Sequence, residues 1–212
     1  MLFALASANI IWASTVPVGL NTLIPGGSLT AGNGVIFDNF SFSRTCSGAG
    51  SCSPADASGV NVNINAFDDL RFTGGFAALA APGPITADFL ISFDVTAPAD
   101  LDLVGLGFNG AASGAAFAQI VEQIFASGGA LLAQIVVDTS GSLSGNAAFT
   151  ATHKIRIDKD IQLTAAENGH ATISLIEQGF RLAASTEGGE VPEPTSALLM
   201  GLGLIGLRYM RR

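Results

Sequence analysis

Few residues in this chain have the types and spacing that chemistry needs. Cys46 and Cys52 stand six apart in Thr-Cys-Ser-Gly-Ala-Gly-Ser-Cys-Ser-Pro. The residues between them are small and flexible, so the two thiols can meet. A disulfide is favoured over free thiols. Closing so short a loop contributes roughly 2 kcal/mol in the chain-entropy view, and it implies an oxidising compartment. Two thiols with no nearby His or third Cys make a poor zinc site. His153 and His170 are the only histidines; each falls in a strand or turn pattern, where a surface or packing role is expected. Asp68-Asp69 and Asp100-x-Asp102 offer carboxylates for calcium. That ion wants about six to eight oxygens at regular loop spacing, so solvated turn carboxylates are the expectation. Paired-carboxylate glycosidase chemistry needs a cleft that sequence does not display. Asn39-Phe40-Ser41 matches a glycosylation acceptor, a pattern short enough to arise often by chance. Gly-x-Ser-x-Gly and His-Glu-x-x-His do not occur. The chain is expected to be no enzyme, with no catalytic residues, no metal and no cofactor.

The elements that would position such residues read as strands. Val60, Val62 and Ile64 alternate with Asn61, Asn63 and Asn65. Phe89, Ile91, Phe93 and Val95 alternate with Asp88, Ser92 and Asp94. Period-2 alternation describes a strand with one buried face. Further strands are expected near 35–43, 70–79, 101–108, 131–138, 147–157 and 172–182. Residues 115–125 fit a helical stripe through Phe117, Ile120, Val121, Ile124 and Phe125, but a strand is preferred there. Turns are expected at Pro25-Gly26-Gly27, 47–51, Gly74-Gly75, Pro82-Gly83-Pro84, Asn109-Gly110, Gly128-Gly129 and Asn168-Gly169. About eight strands at this spacing predict an all-β sandwich or jelly roll.

Composition supports this and excludes other classes. Of 212 residues 49% are apolar and only 12% charged, too few charges for long amphipathic surface helices. Gly is abundant at 26, and Phe, at 14, far outnumbers the one Trp and one Tyr. The net charge is −8, with no Lys or Arg between Arg71 and Lys154. A nucleic-acid reader needs a basic patch, so nucleic acid is not an expected partner.

The two ends differ from the body. Residues 1–14 form an apolar run of signal-peptide length that lacks the positive n-region. A start further upstream and a buried first strand are both open; a shortened signal peptide is preferred because the far end argues for export. There, Val191-Pro192-Glu193-Pro194 follows an acidic, Gly-containing stretch, and an apolar run from Thr195 to Leu207 leads to Arg208, Arg211 and Arg212. Thirteen helical residues span about 20 Å, short of a hydrocarbon core of about 30 Å; snorkelling arginines and the remaining tail extend it. The arginines should stay cytoplasmic and the body outside. Gly201, Gly203 and Gly206 match GxGxxG, but no strand and acidic partner follow as a dinucleotide site requires.

This tail resembles a PEP-CTERM sorting signal: a Pro-Glu-Pro motif, a short Leu/Gly-rich run and an Arg-rich end, in that order. The likeness covers about the last 22 residues. It implies recognition and processing by exosortase, in Gram-negative bacteria that make extracellular polysaccharide. Carried over, Pro192, Glu193 and Pro194 are the recognition motif, and Arg208, Arg211 and Arg212 the basic stop. Tyr209 interrupts the basic cluster, which leaves the length of the span open. The implied organisation is a signal peptide at 1–14, a β-sandwich domain at 15–185, a linker at 186–194, and a transmembrane helix with basic tail at 195–212. The expected protein is exported, held transiently by the membrane, then placed at the cell surface or in a polysaccharide matrix with a structural or interaction role. The alternative is a carbohydrate-binding module or divergent secreted hydrolase. Sugar stacking favours exposed Trp or Tyr, and Trp12 and Tyr209 both lie outside the body.

Overall fold

The computed structural model describes residues 16–24, 26–81 and 83–183. The expected signal peptide, the Pro-Glu-Pro linker and the C-terminal hydrophobic helix lie outside the described residues. Within them the chain is almost entirely β, as the alternating pattern predicts. Its strands are β1 (Val18–Gly19), β2 (Leu29–Thr30), β3 (Ile36–Gly48), β4 (Ser51–Ser53), β5 (Asn61–Ile64), β6 (Leu70–Leu79), β7 (Ile85–Ser113), β8 (Ala116–Ala126), β9 (Leu131–Asp138), β10 (Ser144–Ala165) and β11 (His170–Leu182). A one-turn helix α1 (Leu20–Leu23) and a 3-10 turn at Ala57–Gly59 are the only helical pieces among the described residues.

All eleven strands join one hydrogen-bonded sheet, and every pairing is antiparallel. Two long strands fold this sheet across itself. The first part of β7, residues 85–96, pairs with β3 on one side and with residues 154–165 of β10 on the other. Its second part, residues 101–113, pairs with β11 and with the start of β10. Residues 97–100 carry no ladder partner, and Pro98 sits there, where its missing N–H leaves no bond unmade. The register of β10 against β7 breaks at the same level, between Ala148 and Lys154. The sequence reads 88–95 and 101–108 as separate strands; they are one strand that turns a corner.

The result is sandwich-like. One layer runs β9-β8-β10-β7-β3, and the other runs β7-β11-β6-β5-β1. Phenylalanines fill the space between. Phe37 of β3 meets Phe180 of β11 at 5.3 Å, Phe72 of β6 meets Phe93 of β7 at 5.7 Å, and Phe76 of β6 meets Phe89 of β7 at 5.3 Å. These separations suit tilted and edge-to-face ring pairs. Each ring taken fully from water contributes roughly 2 kcal/mol or more, and Phe37, Phe72, Phe76 and Phe89 are completely buried.

Two expected turns are not turns. Gly74-Gly75 lies inside β6, where these two residues, between Thr73 and Phe76, oppose the single Ser174 between Leu175 and Ile173. The extra residue makes a bulge, and Gly75 takes φ +48° there. Asn109-Gly110 lies inside β7, where Asn109 pairs with Leu175 and Gly110 with Ile173 of β11, across an irregularity that leaves Ser174 as the extra residue. Pairing with a neighbouring strand on either side of each irregularity outweighs the local turn preference of these residues. A second bulge falls in β3 between Asp38 and Ser41, with Asn39 at φ 53°. It lets Phe37 and Phe40, three apart, both enter the core. The segment 115–125 is a strand, β8, as preferred over the helical stripe.

Candidate functional sites

The interior holds a charged cluster. Along β10, Ile155, Ile157, Lys159, Ile161 and Leu163 occupy the buried phase of the pleat; along β8, Ala118, Ile120, Glu122 and Ile124 do the same. Lys159 and Glu122 are register partners across the β10–β8 ladder, and both are fully buried. Gln178, on β11 of the opposite layer, is buried too and reaches across to them. Lys159 Nζ donates to Glu122 Oε2 and to Gln178 Oε1. Gln178 Nε2 donates to Glu122 Oε1 at 2.9 Å and to the Gly105 carbonyl at 3.0 Å. The ammonium also lies 5.8 Å from the centre of the Phe93 ring. Burial pushes the Lys159 amine below its ordinary range, and the Glu122 charge and hydrogen bond pull it back only in part. Chemically the cluster sets an amine, a carboxylate and a carboxamide in mutual contact away from water.

The outer face of the same layer is polar. Because the odd positions of β7 and β10 are buried, Asp88, Asp94, Asp158, Asp160 and Gln162 share the other face. Gln162 Nε2 donates to Asp160 Oδ2 at 2.6 Å. Burial raises the Asp88 carboxyl above its usual value, and the neighbouring Asp160 raises it further by repulsion and a side-chain hydrogen bond. At one end this face opens into a cleft of about 580 Å³ bordered by Asp94, Phe125, Gly129, Lys154, Arg156 and Asp158. Lys154 pairs with Asp94 at 3.2 Å and Arg156 with Asp158 at 2.9 Å. Asn39 Nδ2 donates to Asp94 Oδ2 at 3.0 Å, so the amide of the glycosylation pattern is engaged with a side chain.

The residues singled out in the sequence are placed as follows. Cys46 and Cys52 are joined, with Cα atoms 6.4 Å apart. Cys46 pairs with Ala87 of β7 and Cys52 with Ala78 of β6, so the bond fastens an edge of one layer to an edge of the other. His153 contacts Asp100 at 3.3 Å, while His170 bonds Ser113 Oγ at 2.8 Å on a different strand pair. Asp102 takes a two-pronged bond from Arg181 at 2.8 and 3.1 Å, which holds its carboxyl below the usual range. Asp68 accepts from the Gly32 N–H and Asp69 from Asn65. The carboxylate pairs thus cap turns and pair with cations. Among the described residues no three His, Cys, Asp or Glu side chains gather as a metal site. Pro192, Glu193, Pro194, Arg208, Arg211 and Arg212 lie outside the described residues.

The buried cluster is what a reading for catalytic motifs passes over. A signal for it exists. Lys159 and Glu122 are charged residues at the apolar phase of otherwise regular alternation, an arrangement that needs a buried partner for each. The partner itself, Gln178, comes from a strand packed from the other layer and is invisible to spacing.

A sandwich-like β domain with an interior polar cluster is the class that fold and site define. Residues 190–212 match the PEP-CTERM protein-sorting motif, so the chain carries a PEP-CTERM sorting signal at its C-terminal end. The motif implies exosortase-targeted export, with membrane anchoring of that end before cleavage. No curated protein sequence matches the chain. Among solved structures the domain is similar to that of TmCBM61 in complex with beta-1,4-galactotriose, at 17% identity and TM-score 0.34, over 67% of this chain and 88% of that one. It is also similar to the enzymatically active domain of bacteriophage CBA120 tailspike protein 4, at 15% identity and TM-score 0.35, over 68% of this chain and 19% of that one. Likenesses this distant carry nothing about ligand or activity. No helix among the described residues is long and apolar enough to cross a membrane.

Proposed function

We infer that the protein is a cell-surface or extracellular-matrix protein, processed by exosortase, whose β domain has a structural or interaction role and no catalytic one. The sorting motif at 190–212 carries this reading. Its domain plan is a signal peptide at 1–14, a β-sandwich body at 15–185, a linker at 186–194 and a membrane-spanning tail at 195–212. Pro192, Glu193 and Pro194 are read as the exosortase recognition motif and Arg208, Arg211 and Arg212 as the cytoplasmic stop. The last strand of the body, β11, ends at Leu182, eight residues before the motif match begins. A short tether of this kind would bring the body close to the membrane while the signal is read. Fractionation of the protein bearing an internal epitope tag tests the reading, in an exosortase-containing host and in its deletion strain. Tail loss and surface appearance only where exosortase is present are expected. An intact protein in the same soluble fraction of both strains would overturn it.

A second reading rests on the cleft beside Asp94 and Asp158. An open groove with one Phe and several paired charges offers hydroxyl-binding groups to an extracellular polysaccharide, as in a carbohydrate-binding module. Retention of the protein on the organism's own polysaccharide, lost on Asp94→Ala, would support it. Hydrolysis of that polysaccharide, abolished by Asp94→Asn with Asp158→Asn, would instead support a divergent secreted hydrolase.

A further inference from the structure

The contacts within the interior cluster have a chemical direction. Lys159 Nζ lies against the oxygen of the Gln178 carboxamide, one bond from its carbonyl carbon. One oxygen of Glu122 holds the attacking amine and the other holds the Gln178 NH2 group, the leaving nitrogen. The carboxylate therefore bridges the two nitrogens between which a proton must pass. The Gly105 carbonyl fixes the same NH2 group from a second side, at 3.0 Å, so the amide cannot rotate without losing bonds. All three side chains are fully buried. Exclusion of water removes the hydrolytic competitor and strengthens each electrostatic contact. Holding reactive groups in contact supplies the proximity that an otherwise slow amide exchange needs.

We propose that Lys159 and Gln178 join through an intramolecular isopeptide bond, with Glu122 as the proton carrier. Glu122 takes a proton from the Lys159 ammonium, and the neutral amine attacks Cδ of Gln178. The Nζ–Cδ bond forms and the Cδ–Nε2 bond breaks. Glu122 returns protons to the departing nitrogen, which leaves as ammonium. Of the five hydrogens on the two nitrogens, one stays on the new amide and four leave. No electrons are transferred, and no oxidant, metal or cofactor takes part. Burial, which lowers the proton affinity of the Lys159 amine, favours the neutral nucleophile. The reaction occurs once per molecule and turns over no substrate, so it is compatible with a structural protein and independent of how the chain is sorted.

The bond would tie the two layers together. Lys159 belongs to β10 in one and Gln178 to β11 in the other. The strand β11 is also the one that continues toward the sorting motif, so a covalent link at Gln178 fastens the segment through which a tethered body bears load. The disulfide makes the equivalent tie at the opposite side of β7, between β3 and β4.

Mass spectrometry of the full chain purified from cells tests this without any variant. After reduction of the disulfide, cleavage after glutamate separates Lys159 from Gln178, because Glu167 and Glu177 stand between them. The expected product is a branched peptide containing both residues, lighter than its two parts by one ammonia. Recovery of the two peptides separately at their unmodified masses would overturn the proposal. So would a branch from Lys159 to Glu122, recognised by loss of water. In Glu122→Gln the branch should vanish while circular dichroism of the domain is retained. A branch that persists there would remove Glu122 from its assigned role.

Discussion

Lys159 and Glu122 face each other as register partners in the middle of the β10–β8 ladder, both without solvent contact. An ion pair so placed costs several kcal/mol per charge to desolvate, and its attraction repays this only while both partners are present. The surrounding strands therefore hold a pair that is costly to break and not costly to replace as a whole.

Lys159→Met alone leaves the Glu122 carboxyl buried without its cation. It should be roughly 3–5 kcal/mol less stable than the double variant that also carries Glu122→Leu. The double variant no longer buries that carboxylate. Neither variant contains the Lys159 amine, so their comparison by urea denaturation reports the buried charge apart from any covalent bond. A double variant no more stable than the single one would contradict this account.

The tie between Cys46 and Cys52 closes a short loop but joins edges of the two layers. Replacing both by Ser should lower stability by about 2 kcal/mol. The drop should match the one caused by dithiothreitol on the native protein, read as a shift of the urea midpoint.

The pH dependence should carry the mark of Asp88. Its carboxyl is raised in the folded state, chiefly by burial and then by Asp160. The folded protein thus holds a proton at pH values where the unfolded chain has released it. That contribution is full below the ordinary carboxylate value and fades as pH rises through the raised one. Asp88→Asn should accordingly be more stable than the parent at neutral pH, with the advantage shrinking on acidification. Thermal melts at neutral and mildly acidic pH read the difference. Asp102 has the opposite sign, because the Arg181 guanidinium lowers its carboxyl. Its contribution is present above the ordinary value and is lost as pH falls.

At the β6 bulge, Gly75 has φ +48° and open space where a Cβ would stand. The cost of a side chain there is conformational alone. Gly75→Ala should cost about 1 kcal/mol, and Gly75→Asn less, since Asn visits this region more readily. Equal losses would mean that the bulge rearranges on substitution.

If the tail is read as inferred, Pro192→Ala combined with Glu193→Ala should leave the protein unprocessed. It should run as the longer species on an immunoblot in the exosortase-containing host. Arg208→Ala, Arg211→Ala and Arg212→Ala together should weaken retention of the tail in the membrane before cleavage. Unchanged processing in the first variant would count against recognition through these residues.

The sequence by itself determined the all-β class and the sorting signal. Both are written in local order: period-2 alternation marks a half-buried strand wherever it occurs, and the tail is a contiguous series of residue types. The segments 70–79 and 131–138 are strands with those bounds for that reason. The tertiary structure decided what depends on residues distant in the chain. Gly74-Gly75 and Asn109-Gly110 read as turns locally, yet both are held in strands by pairing to β11, about 60 to 100 residues later. The corner in β7 arises because Pro98 and the broken register of β10 meet at one level. Above all, the Lys159 cluster exists only because folding the sheet lays Gln178 of one layer over Lys159 and Glu122 of the other. Alternation assigns a side chain to a face. Only the packing of two faces decides which side chain it meets.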